Sequence, residues 1–306
     1  MENNQLLPLI TVCVVTYNSE DFILETLESI KNQTYKNFEL IISDDGSSDN
    51  TLTVAKKWLE KNDKYFVRTH VVSTEKNTGT AANYNRGIFA SKGEWIKFID
   101  GDDLLTPNCL EDNVDFINHN KYAKVIFSQV EIFKNCKKST SLYFDNVGKE
   151  VFKMDVANQL KVAVKSNPFP SASLFINKEL ITTNPFNEKY FVLEDAPKWI
   201  DLLIKGNRFF YFDKVTAKYR YCESVMRSQA RFYSPLYAKC SAKYFWDERI
   251  DIMYKYDFKE AYDYQRKYLL KMDLAIGLLH NKKSFLNNIL FKMINKIVDN
   301  FVSFKM

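Results

Sequence analysis

An α/β protein with a mostly parallel sheet flanked by helices, followed by a C-terminal helical appendage, is the fold this sequence predicts. Three observations carry that prediction. Apolar, β-branched runs recur four times in the first hundred residues, and a helical pattern follows each. Runs of this kind, lacking polar alternation, are buried on both faces as in a parallel sheet, and their alternation with helices makes a doubly wound layout. Each run ends in a polar cluster, and beyond strand C-termini is where open α/β sheets bind ligands. From about Val225 the pattern changes to long amphipathic stretches.

Leu9 to Val15 is the first strand, broken by Thr16-Tyr17-Asn18-Ser19. Asp21 to Gln33 carries Ile23, Leu27 and Ile30 at helical spacing. Phe38 to Ser43 is the second strand, and it runs into Asp44-Asp45-Gly46-Ser47-Ser48-Asp49, a turn rich in capping residues. A helix follows with Leu52, Ala55 and Leu59 on one face. Val67 to Ser73 is the third strand, and Asn77-Thr78-Gly79 turns the chain into a helix over Ala81–Ser91. The fourth strand, Trp95 to Ile99, delivers Asp100-Gly101-Asp102-Asp103. Thr106 is placed to cap the next helix, with Pro107 at its first position.

After Lys121 the alternation loosens. Val125 to Phe133 reads as a strand, Lys134 to Lys149 as a polar loop or hairpin, and Val151 to Lys165 as a helix. Pro168 to Ser173 is a rigid loop before the short strand Leu174 to Ile176. Phe191 to Asp195 sets Glu194 and Asp195 just before a helix with Trp199, Leu202 and Leu203. Two strands are expected over Phe209–Phe212 and Val215–Tyr221. The stretches 235–255, 258–280 and 284–304 read as amphipathic helices. Residues 225–306 hold 15 Lys or Arg against 8 Asp or Glu. The expected division is therefore an α/β domain over 1–225 and a helical region over 226–306, which contacts a ligand, a second copy or a membrane surface.

Bulk properties exclude several classes. At 306 residues the chain can bury a sizeable core. The net charge of +5 is too mild to argue for a nucleic-acid partner. Five scattered cysteines with no C-x-x-C pair argue against a disulfide framework or zinc site, and fit a reducing cytoplasm. Met1 to Gln5 lacks the basic start of a signal peptide. No apolar run approaches the roughly 18 residues of a spanning helix. The G-x-G-x-x-G of dinucleotide dehydrogenases does not follow the first strand.

Three carboxylates around one glycine repel one another unless a cation lies between them, and hard oxygen ligands suit Mg²⁺ or Mn²⁺. Asp100, Asp102 and Asp103 are therefore candidate metal ligands. The plainer reading of that stretch is a helix-capping loop, but Thr106 already offers the cap. The plainer reading of Glu194-Asp195 is compensation of a helix dipole.

Set side by side, these clusters resemble the inverting family 2 glycosyltransferases with the GT-A (Rossmann-like) fold. The resemblance covers about residues 8–225. It rests on Val14-Val15-Thr16-Tyr17-Asn18, on Glu39 to Asp49, on Asn77-Thr78-Gly79 with Asn85-Arg86-Gly87, on Asp100-Gly101-Asp102-Asp103 as the D-x-D motif, and on Glu194-Asp195 as the acceptor-side acid pair. It implies that Tyr17 lies against the nucleotide base, beside Thr16 and Asn18. It implies that Asp45 accepts a hydrogen bond from the base, which suits the ring N–H of uracil and favours UDP. Asp100 and Asp102 would hold the ribose and the metal on the diphosphate, with Asp103 close by, and Asn77 and Arg220 would lie along the donor. Asp195 would be the general base, with Glu194 in reserve.

The departures are two. Many relatives carry Arg before the asparagine that aligns with Asn85, and here the residue is Tyr84, with Lys76 or Arg86 left to supply the charge. Many follow a Tyr-Arg pair with His near the metal, but Tyr219-Arg220 is followed by Tyr221-Cys222-Glu223-Ser224, which leaves the metal's full ligand set open. The processive Q-x-x-R-W box is absent. The expectation is transfer of one sugar from a UDP-sugar to a hydroxyl of a glycan or lipid-linked glycan, in surface polysaccharide synthesis. The protein would be cytoplasmic or peripheral on the inner face of the plasma membrane, and its C-terminal helices could pair two copies. The competing classes are a nucleotidyltransferase and a non-catalytic relative that binds nucleotide or glycan.

Overall fold

The computed structural model describes residues 7–134, 137–221 and 230–306. Expectations that fall on Met1 to Gln5, Cys136, Cys222 to Ser224 and the start of the C-terminal region at Val225 lie outside the described residues. The described chain divides into two compact units. The first comprises residues up to Gln159 together with Phe169–Tyr221, and the second comprises Leu160–Pro168 and the chain after Tyr221.

The first unit is built on a nine-stranded sheet. In chain order it contains β1 (Ile10–Thr16), α1 (Ile23–Lys31), β2 (Phe38–Asp44), α2 (Thr51–Asn62), β3 (Thr69–Ser73), α3 (Thr80–Ala90) and β4 (Trp95–Asp100). Then come β5 (Leu104–Leu105), α4 (Cys109–His119), β6 (Val125–Lys134) and β7 (Lys137–Leu142). A 3₁₀ turn, Gly148–Lys153, precedes α5 (Val156–Ser166), whose later residues belong to the second unit. The chain returns through β8 (Phe175–Asn177), α6 (Lys178–Thr182), α7 (Asp195–Ile204) and β9 (Phe209–Arg220).

The strand order is β3-β2-β1-β4-β8-β6-β9-β5, with β7 paired to β6. The first four strands are mutually parallel. β8 runs antiparallel to both β4 and β6, and β9 is parallel to β6. Register places Thr16 beside Asp44, Val15 beside Asp100, and Asp44 beside Ser73. The polar strand ends therefore form one row.

β1 and β2 are buried along their whole length, so both faces of this half-sheet are covered. Ile10, Val12 and Val14 join Leu27 and Ile30 of α1 and Trp58 and Leu59 of α2 in one apolar cluster. The alternate residues face α3: a Cβ on Gly87 would overlap the Cys13 Sγ, and the Ser43 hydroxyl donates to the Asn83 side chain at 2.7 Å. Gly87 is thus a packing requirement, because only a bare Cα lets α3 approach β1 this closely. A second core surrounds Phe127, whose ring lies 5.3–5.8 Å from those of Phe152, Phe169, Trp199 and Phe209. Each such fully buried large side chain contributes about 1.5–3 kcal/mol.

Two expectations are corrected. Thr106 does not cap α4: its hydroxyl donates to the Val215 carbonyl at 2.9 Å, because β5 pairs with β9 and brings that carbonyl closer than any helix N–H. Phe209–Arg220 is one strand, not two. Asp213 and Lys214 bulge out where Phe212 pairs Ser128 and Val215 pairs Gln129, and an exposed polar pair inside an apolar run reads in sequence as a turn.

The second unit holds α8 (Pro235–Tyr244), a π-helical turn over Phe245–Arg249, α9 (Ile250–Lys255), α10 (Lys259–Gly277) and α11 (Phe285–Phe301). Ser234 and Ser284 cap α8 and α11 by accepting the Tyr237 and Asn287 N–H groups. Among the described residues no helix is long and apolar enough to cross a membrane.

Candidate active site

Every residue of the candidate site lies in the first unit. Four strand ends supply it. At the end of β1 the Thr16 side chain is buried, and Tyr17 is 40% exposed. Asn18, at φ +51°, accepts the Ser48 N–H at 2.8 Å and donates its own N–H to Ser47, which ties this loop to the one after β2. In that second loop Asp49 accepts the Thr51 N–H at 3.0 Å and the Glu20 N–H at 3.1 Å, so Asp49 serves the first turn of α2.

Asp45 is buried and heavily engaged. It accepts the Thr78 N–H at 3.1 Å, the Thr78 hydroxyl at 2.6 Å and the Gly79 N–H at 2.8 Å, and it pairs with Arg86. Arg86 also donates to Thr78 at 2.7 Å. Asp45 is therefore the anchor of the Asn77-Thr78-Gly79 turn, and Arg86 is spent on it. Asn77 itself accepts the Gly79 N–H at 3.0 Å. Asn85 clasps Phe186 through both its backbone groups, at 2.8 and 2.9 Å.

The loop after β4 carries the acids. One carboxylate oxygen from each of Asp100, Asp102 and Asp103 lies within 4.8 Å of the others. Thr26 of α1 holds this loop by donating to the carbonyls of Gly101 at 3.0 Å and Asp103 at 2.8 Å. A side chain at Gly101 would overlap Thr16, so the glycine is what lets the β1 and β4 ends meet. From β9, the Arg220 N–H donates to Asp103 at 2.8 Å and its Nε donates to the Asp102 carbonyl at 2.7 Å.

Burial, followed by the charge of Asp102, pushes the Asp100 carboxyl up to about 7. Burial and then Asp100 and Asp102 raise Asp103 as well. The Asp103 Oδ2 is buried with no hydrogen-bond partner. A raised pair of carboxyls and an orphaned carboxylate oxygen on one member of a three-acid cluster fit a hard divalent cation: it would satisfy the oxygen and remove the repulsion. The buried Thr16 Oγ1 is also unpartnered.

The second acid pair stands at the start of α7. Glu194 precedes α7 and Asp195 opens it, where Asp195 accepts the Ala196 N–H at 2.6 Å. Burial, then Asp195, and more weakly Asp100, raise the Glu194 carboxyl well above the usual range. The segment before them is tied to the Asn77 turn: the Thr80 N–H donates to the Phe191 carbonyl at 2.9 Å, and Gly79, at φ +100°, lies against Phe191.

Three participants were not anticipated in these positions. Tyr84 donates to Asp100 at 3.4 Å, and burial with the charges of Asp100 and Glu194 raises its phenol. Its spacing of three residues from Gly87 on α3 was the available signal that it faces the sheet. Glu25 pairs with Arg220 at 2.7 Å, and the guanidinium lies between the Phe22 and Phe133 rings, 4.8 and 4.7 Å from their centres. Arg220 thus already has an anionic partner within the chain. Thr26 carried no sequence signal, since a buried threonine in a helix is ordinary.

A parallel half-sheet ending in carboxylates, faced by an acid pair from the antiparallel half, defines a GT-A glycosyltransferase. The chain belongs to glycosyl transferase family 2, whose sequence model matches residues 11–176. A Campylobacter jejuni GalNAc(5)-diNAcBac-PP-undecaprenol beta-1,3-glucosyltransferase is 30% identical over 219 residues, 70% of this chain and 65% of that protein. An uncharacterized glycosyltransferase of Haemophilus influenzae is 30% identical over 197 residues, 60% of this chain and 58% of its own length. The putative glycosyltransferase EpsE of Bacillus subtilis is matched over 44% of its own length. Among solved structures, Staphylococcus aureus TarS 1-349 in complex with UDP superposes over 97% of this chain and 93% of that one, with a TM-score of 0.57 at 18% identity. The Pyrobaculum calidifontis mannosyltransferase PcManGT, in complex with GDP-Man and Mn²⁺, gives 0.58 at 16% identity over 95% of this chain and 84% of its own.

Proposed function

We propose that the protein moves a single sugar from a nucleotide-sugar, a UDP-sugar in the favoured reading, to a hydroxyl of a glycan or lipid-linked glycan, with inversion at the anomeric carbon. The observation that carries this reading is the Asp100-Asp102-Asp103 cluster at the end of β4, with the segment before Glu194-Asp195 tied to the neighbouring strand ends by the Thr80 N–H on the Phe191 carbonyl. Breaking a glycosyl diphosphate needs charge neutralised on the leaving side and a proton removed on the attacking side, and these are the two acid groups that such chemistry requires.

Asp100, Asp102 and Asp103 would hold Mn²⁺ or Mg²⁺, which neutralises charge on the departing diphosphate. The half-exposed Tyr17 lies open to stack on the base, with Thr16 and Asn18 shaping the same strand end. Asp45 bonds the base edge while anchoring the Asn77 turn, so its four internal contacts hold it in place for that task. Asp100 binds the ribose. Arg220 reaches the diphosphate only by exchanging Glu25 for it. Asp195 orients the acceptor hydroxyl and takes its proton as that oxygen attacks from the far side, a role supplying about 10²–10⁴-fold. Glu194, whose carboxyl burial and then the charge of Asp195 raise, stands in reserve behind it. The lipid-linked acceptor is favoured by the Campylobacter jejuni relative, whose name specifies an undecaprenol diphosphate glycan.

The test is slow donor hydrolysis and transfer with a panel of UDP- and GDP-sugars and Mn²⁺. Asp102→Asn is expected to abolish turnover with the fold intact by circular dichroism, and full activity in excess chelator would remove the metal from the reading. Asp195→Asn is expected to lose transfer by at least about 10²-fold while binding UDP normally in calorimetry. Consumption of UTP with a sugar phosphate would instead mark a nucleotidyltransferase, and no reaction with any donor would mark a non-catalytic relative.

A further inference from the structure

We propose that the outer face of α11 is a docking surface for an anionic lipid bilayer. This inference is independent of the transferase reading, since it concerns binding without donor or acceptor.

The inward face of α11 is settled by its contacts. Val298 is 2% exposed. The Phe291 ring lies 4.4 Å from that of Phe232, Asn287 donates to the Leu279 and Lys282 carbonyls, and Asp299 pairs with Lys271. On another side of the helix stand Leu286, Ile289, Leu290, Met293, Ile297 and Phe301, all exposed; Met293 is 53% and Phe301 82% accessible. Their spacing of three, four, seven, eleven and fifteen residues from Leu286 keeps them on one continuous stripe. A helix whose second face met only water would carry polar residues there. Over 17 residues the stripe runs roughly 25 Å.

Charge decides the occupant. Residues 282–306 contain Lys282, Lys283, Lys292, Lys296 and Lys305 against one acid, Asp299, which Lys271 already neutralises. Lys292 and Lys296 fall one helical turn apart along the edge of the apolar stripe. A second copy of the chain would bring these cations against their own kind, which disfavours self-association. An anionic bilayer offers the complementary sign to the lysines and an acyl boundary to the stripe. Amphipathic helices of this composition lie in the interface with the apolar face sunk about 5–10 Å. Each lysine near such a surface adds about 1 kcal/mol, or roughly five-fold in partition.

The test is co-sedimentation of the full chain with vesicles of phosphatidylcholine alone and of phosphatidylcholine with about 30% phosphatidylglycerol. Binding to the anionic vesicles is expected to exceed binding to the neutral ones about ten-fold or more. Met293→Asp with Ile297→Asp is expected to abolish it, and Lys292→Glu with Lys296→Glu to reduce it about ten-fold or more. These half-exposed side chains leave the Tm unchanged, which separates lost docking from lost folding. An Ile297→Trp variant is expected to be quenched by acyl-brominated lipid. Equal binding to both vesicles, wild-type binding by the Asp variant, or an unquenched Trp would overturn the proposal. So would light scattering that shows a dimer which the Asp variant dissolves, because the stripe would then lie between two copies.

Discussion

Asp103 shows how one oxygen atom constrains a site. Its Oδ1 takes the Arg220 N–H, while its Oδ2 is buried and bare. With Asp100 pushed up to about 7 and Asp103 and Glu194 also raised, the cation-free folded chain retains protons that the unfolded chain releases from about pH 4 upward. The folded state binds more protons in that window, so stability falls as pH rises, by up to about 1.4 kcal/mol per pH unit for each retained proton. Chelated protein is therefore expected to lose Tm steadily from about pH 4 to 7, and excess Mn²⁺ to flatten the decline. A Tm that climbs with pH in chelator would contradict the raised carboxyls. The acids themselves were legible in sequence because three carboxylates cannot crowd a core strand end without a reason. The partners of Arg220 were not legible, since Glu25 lies 195 positions away and nothing local marks it.

At the scale of elements, the turn Asn77-Thr78-Gly79 joins the two halves of the site. Gly79 has φ +100°, and a Cβ there would come within 2.7 Å of the Phe191 carbonyl oxygen. Gly79→Ala is expected to cost about 1–3 kcal/mol in denaturant unfolding, and to depress transfer further by loosening the Thr80–Phe191 tether that sets the acid pair. Unchanged stability with unchanged turnover would show that this turn is not the link. The four strand–helix repeats were readable because buried parallel strands show no alternation and their caps are polar. The bulged β9 and the misassigned Thr106 cap were not. The first depends on β9 meeting β6 and the second on β5 meeting β9, pairings of segments about 80 to 110 residues apart that no local pattern reports.

For the whole molecule, all candidate donor-site residues fall within one compact unit, so ligand binding there reports on that unit's stability. UDP with Mn²⁺ is expected to raise the Tm by linkage, equivalent to about 2.7 kcal/mol at a hundredfold excess over Kd. Asp102→Asn is expected to remove the Mn²⁺-dependent part of that shift. A larger shift with GDP than with UDP would overturn the proposed assignment of the base.

By itself the sequence determined the α/β repeat, the four polar strand ends and the identity of the acids, because burial and charge leave local signatures at short spacing. Only the tertiary structure decided how they are used. It placed Tyr84 beneath Asp100, committed Arg86 to Asp45 and Arg220 to Glu25, and left one oxygen of Asp103 without a partner. Those outcomes are set by long-range pairing across the sheet, where each charged group takes whichever partner the fold brings near. A chain read one segment at a time carries no record of that choice.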